Sequence, residues 1–316
     1  MNISILGSGS WGSALSSVLS DNNYNINLWH RNQSFVDKKL LDSNNLNYTT
    51  DLNIFKDSDL LLIALPSHTI KRVLQKIKIN KNTIVVNCSK GFDLDSEKRL
   101  SSVIIKELGI NSNNFSVLSG PSHAEEVISK IPTAVVVASS SLKTGQFVQK
   151  IFSNDYFRVY TNSDVPGVEI AGACKNIISI AAGICIGLKY GDNTIAALIS
   201  RGIQEIIRFG IKYKSKEATF YGLAGIGDLS VTAYSKFSRN RQFGIKIGEG
   251  LNKDKANKKI KMVVEGVNAS QIIYKLSKKS KINMPIVNEV YSILFKDKNP
   301  KKAINELMKR KLTIEY

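Results

Sequence analysis

Two lysines lie where the sequence gives them a chemical use. Lys90, in NCSKGF, follows a predicted strand and precedes a glycine, at the edge of an open sheet where ligands bind. Lys175, in GACKNIISIAAG, interrupts a predicted helix of otherwise small or apolar residues. Burying such a lysine is costly unless it is paired or used, and the alternative is a surface lysine whose stem covers apolar neighbours. The pattern favours a functional Lys175, which could donate or accept a proton.

Two further segments combine polar side chains with turn residues. In SGPSHAEEV, Gly120 and the following proline turn a strand into a helix whose N-terminal amides could meet an anion. In GLAGIGDLSVTAYSKFSRNRQFG, Arg239 can bind a phosphate or carboxylate through two hydrogen bonds, and Asn240 can donate to a hydroxyl or carbonyl. Helix N-caps at Asp228 and Ser238 and a solvated Arg239 would explain each residue separately. Together, the segments predict one anionic substrate.

The N-terminus predicts a dinucleotide site. The apolar run Ile3 to Leu6 leads into GSGSWG and then into the helix-compatible stretch SALSSVLS. Gly7 permits a tight turn, Gly9 lets a pyrophosphate approach the backbone, and Gly12 lets the helix pack close to the strand. The strand before the glycines and the helix after them are the context that this motif requires, and a plain turn is the alternative.

The end of the second predicted strand bears on the choice of dinucleotide. An acidic residue at this position binds the ribose 2′-hydroxyl of NAD, whereas an arginine accommodates the 2′-phosphate of NADP. The strand ends in LWHRN, which places His30 and Arg31 where an acid would stand. The sequence therefore favours NADP over NAD, with an ordinary surface role for Arg31 as the alternative.

The elements that position these residues fall into two classes. Up to about residue 160, short apolar runs alternate with helical patterns, which is typical of a parallel sheet with crossover helices. The predicted strands are 3–6, 25–29, 60–65, 83–87, 116–119, 134–138 and 158–160. Longer helical patterns follow at 167–187, 193–213, 239–250, 266–280, 286–296 and 300–310. The prediction is an α/β Rossmann-like domain with a parallel sheet over residues 1–163, then an all-α substrate-binding domain over residues 164–316.

Composition narrows the possibilities. The 316 residues carry a formal net charge of +18, of which +4 falls in residues 1–160 and +14 in residues 161–316. The lysines are scattered and lack a nucleic-acid motif, so we expect solvated helix faces and no specific nucleic-acid partner. The three cysteines lack metal-type spacing and there are only three histidines, so we expect no metal site. The odd number of cysteines also indicates a protein of the reducing cytoplasm, without a disulfide framework. The longest apolar stretch, IISIAAGICIGL, predicts a buried helix and no integral membrane segment.

The motifs resemble, nearly end to end, those of the bacterial-type NAD(P)-dependent glycerol-3-phosphate dehydrogenases. They are GSGSWG, LPSH, SKG, SGPSHAEE, KNI, GDN, LISRG, GLAGIGDL, SRNRQFG, VVEGV, MPI and LMKR, in family order. The resemblance implies a two-domain fold like that of 6-phosphogluconate dehydrogenase. It also implies reversible reduction of dihydroxyacetone phosphate to sn-glycerol 3-phosphate, which supplies glycerophospholipid biosynthesis, and a homodimer.

The resemblance assigns roles to residues of this sequence. Lys175 takes the catalytic proton-transfer position, and no histidine lies in a comparable motif. Substrate positions are Lys90, Gly120, Ser122, Lys175, Asp228, Ser238, Arg239 and Asn240. Cofactor positions are Gly7, Gly9, Ser10, Trp11, Gly12, Arg31, Lys90, Ala124, Arg239, Val263 and Glu265. Departures from the family are His123 where an aromatic is typical, Ile186 where an acid is common, and a shortened segment between Asn45 and Asp51, so no role is assigned to Tyr48.

Three other functions stay open at the level of sequence. A β-hydroxyacid dehydrogenase of similar architecture also uses a helical lysine, but its substrate carries a carboxylate. An NADP-sensing regulatory protein would keep the glycine turn, although it would have no use for Lys90, Lys175, Asp228 and Arg239. Nucleic-acid binding through the basic half would show a steep dependence on salt.

The assignment of Arg31 to the 2′-phosphate predicts a change of cofactor preference. In Arg31→Asp, the ratio of kcat/KM for NADPH to that for NADH should fall about tenfold or more, because a charge-assisted hydrogen bond is replaced by repulsion. Steady-state kinetics with both dinucleotides measure the ratio. An unchanged ratio would show that Arg31 is a surface residue without this role.

Overall fold

The computed structural model describes residues 1–31, 45–260, 263–312 and 314–315. The strands are β1 (Ile3–Leu6), β2 (Ile26–Trp29), β3 (Leu46–Thr49), β4 (Leu60–Ile63), β5 (Ile84–Asn87), β6 (Phe115–Ser119), β7 (Thr133–Ala138) and β8 (Phe157–Asn162). The helices are α1 (Ser10–Asp21), α2 (Ile70–Leu74), α3 (Leu100–Leu108), α4 (Ala124–Ile128), α5 (Leu142–Phe152), α6 (Val165–Gly187), α7 (Asp192–Lys212), α8 (Glu217–Tyr221), α9 (Asp228–Tyr234), α10 (Arg239–Gly248), α11 (Lys253–Ile260), α12 (Glu265–Lys279), α13 (Pro285–Phe295) and α14 (Pro300–Met308).

The strands form one sheet in the order β3-β2-β1-β4-β5-β6-β7-β8. All seven predicted strands are present, and the predicted α/β fold followed by helices is confirmed. Strand β3 was not predicted, because LNYT is half-polar and only partly buried and so gives no apolar run. The sheet is mostly rather than wholly parallel, since β6 and β7 pair antiparallel. Their connection, residues 120–132, enters β7 at the edge where β6 ends, and this reverses the strand.

Strand β1 lies at the point where the sheet order reverses. The chain passes from β1 to β2 beside it and then to β3 beyond β2, and it then crosses to β4 on the other side of β1. Ligands of open α/β sheets bind in the crevice outside the carboxyl ends of the strands at such a point. The glycine turn follows β1, so the topology places it at this crevice.

The core explains why these runs became strands. Central strands are buried on both faces and therefore consist of continuous apolar residues, as in the fully buried Leu60–Ile63. Helix α1 buries Ala14, Leu15, Val18 and Leu19 in the same apolar cluster. Their spacing of three and four residues gives one apolar stripe, which holds the N-terminus of α1 next to the glycine turn.

Packing divides the chain into two compact units that interleave in sequence. The α/β unit comprises Met1–Gly172 and Tyr213–Asp228, and the helical unit comprises Ala173–Lys212 and Leu229–Tyr316. The first third of α6, up to Gly172, thus belongs to the α/β unit and the rest to the helical unit. The predicted division between residues 163 and 164 concerns domains of function and stays a prediction.

Among the described residues, one helix is long and apolar enough to cross a membrane. It is α6, and 89% of its most apolar window is buried inside the protein. Such burial is typical of a core helix.

In the helical unit, α6 and α10 cross through a seam of four glycines: Gly183, Gly187, Gly244 and Gly248. A Cβ on Gly244 would overlap the Ile180 carbonyl oxygen and lie 2.9 Å from the Gly183 Cα. The other three glycines face the opposite backbone just as closely. Only glycine permits this approach, so the seam fixes the position of α10 against α6.

A buried carboxylate fixes another helix of this unit. Glu205 on α7 is 1% exposed and accepts hydrogen bonds from the backbone N–H groups of Ile286 and Val287, at 2.7 Å and 3.1 Å. These N–H groups belong to the first turn of α13 and have no partner within their own helix. Burial raises the pKa of Glu205 to about 7, although the two backbone hydrogen bonds, Arg208 and Arg310 oppose that rise.

The raised pKa predicts a pH-dependent loss of stability. An unfolded glutamate ionises near its ordinary pKa of 4.5, below the folded value, so the folded state binds the proton more tightly and its stability falls as pH rises from 4.5 through 7. Across this range wild type should lose about 3 kcal/mol of stability relative to Glu205→Gln. Thermal unfolding of both proteins at several pH values measures this difference. Parallel pH profiles would contradict it.

The glycine seam predicts a steric effect on stability. Gly244→Ala should destabilise the protein by about 1–3 kcal/mol, because the new methyl group must push α10 away from α6. Gly145→Ala, in the interior of α5, is the matched control, since its Cβ would lie 3.8 Å from the nearest atom at ordinary contact distance. This control should be neutral or stabilising. Equal melting temperatures for the two variants would refute a tight seam.

Candidate functional site

The glycine turn has the geometry of a ligand cradle. Gly7 has φ +119°, and a Cβ there would lie 2.6 Å from the Ala64 carbonyl oxygen. A Cβ on Gly12 would overlap the Gly7 carbonyl oxygen. Around Gly9, by contrast, no described atom lies within 4 Å of the ideal Cβ. The protein itself therefore requires glycine at positions 7 and 12, whereas Gly9 leaves space beside the backbone for a bound group.

The start of α1 offers donors to that space. Gly9 is the N-cap, no side chain caps the helix, and the first turn holds no acidic residue. The first backbone N–H groups of a helix lack intrahelical partners, and the helix dipole favours an anion there. Ser10 is exposed and Trp11 is partly exposed. The turn thus offers space and donors of the kind that a pyrophosphate needs. The assignment of Gly7, Gly9, Ser10, Trp11 and Gly12 to a dinucleotide stays a prediction.

Arg31 follows β2, the strand next to β1, and is exposed. His30 before it is 3% exposed, and its backbone N–H donates to the Thr49 carbonyl at 3.0 Å. The backbone just before Arg31 is therefore hydrogen-bonded to the end of β3. The Arg31 guanidinium itself is accessible to a ligand.

A second group of predicted residues meets in the α/β unit. Lys90 follows β5, and its Nζ lies 2.5 Å from Oδ2 of Asp228 and 3.3 Å from the Gly120 carbonyl oxygen. Asp228 is 1% exposed, whereas the Lys90 side chain is 21% exposed. The Ser122 hydroxyl donates to the same Gly120 carbonyl at 3.0 Å. A buried carboxylate thus holds an ammonium group that is still open to a ligand.

Two of the neighbouring predicted residues serve the backbone around this pair. Gly120 has φ +142°, and a Cβ there would lie 2.9 Å from the Val135 Cα, so the tight turn after β6 needs glycine. Ala124 is the first residue of α4 and is 8% exposed. At Gly120 and Ala124, the backbone rather than a charged side chain lies at the carboxyl edge of the sheet.

Lys175 lies in the helical unit and is buried. It is 6% exposed, and its Nζ donates to Oγ1 of Thr232 at 2.6 Å. Thr232 is 3% exposed and lies on α9. One turn after Lys175 on α6, the Ser179 hydroxyl bonds the Thr232 carbonyl at 2.7 Å. Lys175 is therefore a buried amine with a defined direction, as the apolar surroundings in sequence predicted.

The SRNR segment is held by the same helix. Ser238 caps α10 by accepting from the Arg241 N–H at 3.2 Å, and its hydroxyl lies 3.2 Å from that of Ser179. Asn240 donates to the Asn176 side chain and accepts from the Gly266 N–H, both at 2.9 Å. Ser238 thus has the capping role that was the alternative in sequence, and Asn240 ties α10 to α6 and to the start of α12.

Arg239 differs from its two neighbours because it is exposed. Its guanidinium approaches the Val263 carbonyl at 3.5 Å, which leaves its donors open to a ligand. Val263 is 37% exposed, and Glu265 begins α12 two residues later. The structure therefore brings a predicted substrate residue and two predicted cofactor positions to one side of the helical unit.

Some buried polar residues with defined contacts were not singled out from the sequence, among them Thr232, Asp164 and Glu169. Thr232 lies in a quoted motif, but a threonine among apolar residues gives no signal by itself. Asp164 and Glu169, at 4% and 5% exposed, flank the start of an otherwise apolar helix. Buried carboxylates must be paired, so the same reasoning that singled out Lys175 could have found them.

Among the described residues, no group of three or more His, Cys, Asp or Glu side chains could hold a metal ion.

Comparison with known proteins identifies the family. The model of the NAD-dependent glycerol-3-phosphate dehydrogenase N-terminus matches residues 2–145, and that of its C-terminus matches residues 164–305. The glycerol-3-phosphate dehydrogenase [NAD(P)+] of Thermoanaerobacter sp. (strain X514) is 48% identical over 98% of this chain and 97% of its own length.

Solved structures agree with this result. The glycerol-3-phosphate dehydrogenase of Coxiella burnetii superposes with a TM-score of 0.92 at 36% identity, covering 98% of this chain and 99% of its own. A ketopantoate reductase family protein of Ralstonia eutropha has a TM-score of 0.60 at 14% identity over 98% of this chain and 100% of its own, a likeness that shows the fold alone. The chain belongs to the NAD-dependent glycerol-3-phosphate dehydrogenase family.

Proposed function

We propose that this enzyme reduces dihydroxyacetone phosphate reversibly to sn-glycerol 3-phosphate, with Lys175 as the group that transfers the proton. The observation that carries the proposal is the buried Lys175 amine, held at 2.6 Å by the Thr232 hydroxyl within a family of known reaction type. The bound nicotinamide dinucleotide supplies the hydride. The chain's own residues must then place the ketone, neutralise the phosphate and deliver one proton.

Lys175 is suited to proton transfer by its surroundings. It lies on α6 between small and apolar residues and is 6% exposed, so bulk water does not compete for its proton. The Thr232 oxygen accepts one of its three N–H bonds and fixes the direction of the amine. A second N–H can then donate to the substrate oxygen as negative charge develops on it, and the amine takes the proton back in the reverse reaction.

Substrate binding requires cationic and donor groups for the phosphate. Arg239 is exposed at the start of α10, and its planar fork can bind two phosphate oxygens at once. Asn240 holds the first turn of α10 through Asn176 and Gly266. We propose that Arg239 contacts the phosphate, and that Ser238 and Asn240 contribute by fixing this turn as well as by contact.

In the α/β unit, the proposed substrate residues are Lys90, Gly120, Ser122 and Asp228. Asp228 pairs with the Lys90 ammonium and keeps it in place, and Lys90 remains open to an oxygen of the substrate or of the cofactor. The Ser122 hydroxyl is turned toward the Gly120 carbonyl and supports the same turn. These residues position the substrate, and positioning alone contributes a large share of many enzymatic rates.

The proposed cofactor residues extend the cradle at the glycine turn. Gly7, Gly9, Ser10, Trp11 and Gly12 receive the pyrophosphate and its neighbours, for the steric reasons given above. NADP is proposed as the preferred dinucleotide because Arg31 is exposed at the end of β2. The remaining proposed contacts come from Lys90, Ala124, Arg239, Val263 and Glu265.

Three further proposals concern the setting of the reaction. We propose that the product supplies glycerophospholipid synthesis, that the protein is a cytoplasmic homodimer, and that residues 1–163 are mainly a cofactor-binding domain and residues 164–316 mainly a substrate-binding domain. The family resemblance supports them.

The proposed homodimer predicts a mass in solution of twice the 34.9 kDa of one chain. Light scattering of the purified protein measures this mass, and the mass of a single chain would exclude the dimer.

Replacement of Lys175 tests the proposed mechanism. Lys175→Ala should lower kcat at least about 100-fold, because the alkoxide loses its proton donor, while NADPH affinity stays near wild type. Oxidation of NADPH on addition of dihydroxyacetone phosphate measures kcat, and quenching of protein fluorescence measures NADPH binding. Lys258→Ala, at an exposed position on α11, is the matched control and should keep full activity. Robust turnover by Lys175→Ala would refute the assignment.

A further inference from the structure

Two carboxylates are buried at the start of α6 and have no part in the proposed reaction. Asp164 lies directly before the helix and is 4% exposed, and Glu169 lies in its second turn and is 5% exposed. Burying a carboxylate is costly unless it is fully hydrogen-bonded. Both meet that condition through segments that are distant in sequence but belong to the same α/β unit.

Glu169 holds the far end of the loop that carries Lys90. It accepts from the Ser101 N–H at 2.7 Å, from the Ser101 hydroxyl at 2.6 Å and from the Arg99 guanidinium at 2.7 Å. Burial raises the pKa of Glu169, and these three donors act in the opposite direction. Arg99 also pairs with Phe92 in an isolated antiparallel bridge, which closes the loop two residues after Lys90. The Lys90 loop is thus held at its start by β5 and at its end by the hydrogen bonds of Arg99 and Ser101 to Glu169.

The Lys90 side chain itself packs against α6. A Cβ on Gly172 would lie 3.4 Å from Cγ and 3.6 Å from Cδ of Lys90, and Gly172 is one helical turn after Glu169. The helix therefore contacts the stem of Lys90 directly and holds its loop through Glu169.

Asp164 holds the other half of the ion pair. Its Oδ1 accepts from the Gly167 N–H at 2.9 Å and so caps α6. Its Oδ2 accepts from the Lys216 N–H at 2.8 Å and from the Thr219 hydroxyl at 2.7 Å. Residues 216–219 open the segment that runs through α8 and one π-helical turn to Asp228.

We propose that Asp164 and Glu169 are positioning residues for the Lys90–Asp228 ion pair, because each fixes one of the two segments that bring its partners together. The proposal builds on the proposed role of Lys90 and Asp228 in binding. Misplacement of a binding group by a fraction of a bond length weakens substrate positioning without removing any contact to substrate.

The test is the reactivity of Lys90 in Asp164→Asn and Glu169→Gln. Acetic anhydride is added to the free protein, and mass spectrometry measures the acetylation rate of each lysine. A looser ion pair should raise the rate at Lys90 about tenfold, within the range of coupling between contacting groups. Lys130, which pairs with Asp21 elsewhere in the α/β unit, should keep its wild-type rate in both variants.

Glu205→Gln is the matched control for a purely structural effect. Glu205 is an equally buried carboxylate that holds a helix start, but it lies on α7 in the helical unit and holds the first turn of α13. Its replacement should change stability and leave the Lys90 rate unaltered. Ser101→Ala and Thr219→Val remove one donor each and serve where a carboxylate variant does not fold. They should raise the Lys90 rate in the same direction by a smaller factor.

Kinetics separate this proposal from the proposed function. Asp164→Asn and Glu169→Gln should raise the KM for dihydroxyacetone phosphate about tenfold with a smaller change in kcat. A faster Lys90 reaction with an unchanged KM would support the positioning role and refute the assignment of Lys90 to substrate. A wild-type Lys90 rate in both variants, or an equal increase in Glu205→Gln, would overturn the positioning role. In Asp228→Asn the ion pair is already lost, so adding Glu169→Gln should not raise the Lys90 acetylation rate further. A further rise in the double variant would also overturn the positioning role.

Discussion

Within each compact unit, buried polar groups on or next to helix α6 must be paired, and this requirement fixes the segments that pair with them. Helix α6 is so apolar that its central residues are buried on all sides, yet Asp164 lies directly before it and the helix carries Glu169, Lys175 and Ser179. Each of these groups would cost several kcal/mol if it were left without a partner. Each therefore holds a specific partner segment, and the partners are the segments that carry the candidate site. Segment positions thus follow from hydrogen bonding to α6.

Glycine supplies the complementary constraint, which is close approach. In the seam of Gly183, Gly187, Gly244 and Gly248, two backbones come nearer than any side chain would allow, and α10 is fixed with Arg239 at its first position. At the N-terminus, Gly7 and Gly12 allow close contact with neighbouring backbone carbonyl groups, while Gly9 faces open space. Six of these seven glycines thus serve close packing, and Gly9 leaves space beside the backbone for a bound group.

The fold was largely predictable because its signals are local. Continuous apolar runs predicted the central strands, since a strand buried on both faces must be apolar throughout. Strand β3 escaped because an edge strand such as LNYT is only half-buried, and the reversal of β7 escaped because strand direction depends on the path of the connection. For Ser238, the sequence allowed both a helix cap and a direct contact with substrate, and it did not distinguish between them. Its hydroxyl could equally have faced solvent, and only packing against Ser179 decides this.

The sequence by itself determined which chemical groups are present and the type of most elements. It placed a glycine turn between a strand and a helix, an arginine after the second strand, and a lysine in an apolar helix, because these patterns reflect backbone sterics and the cost of burial. Tertiary structure decided which groups meet. Lys90 and Asp228 are 138 residues apart, and Lys175 and Thr232 are 57 apart. No local pattern encodes such pairs, since they arise only when distant segments satisfy the same buried charge.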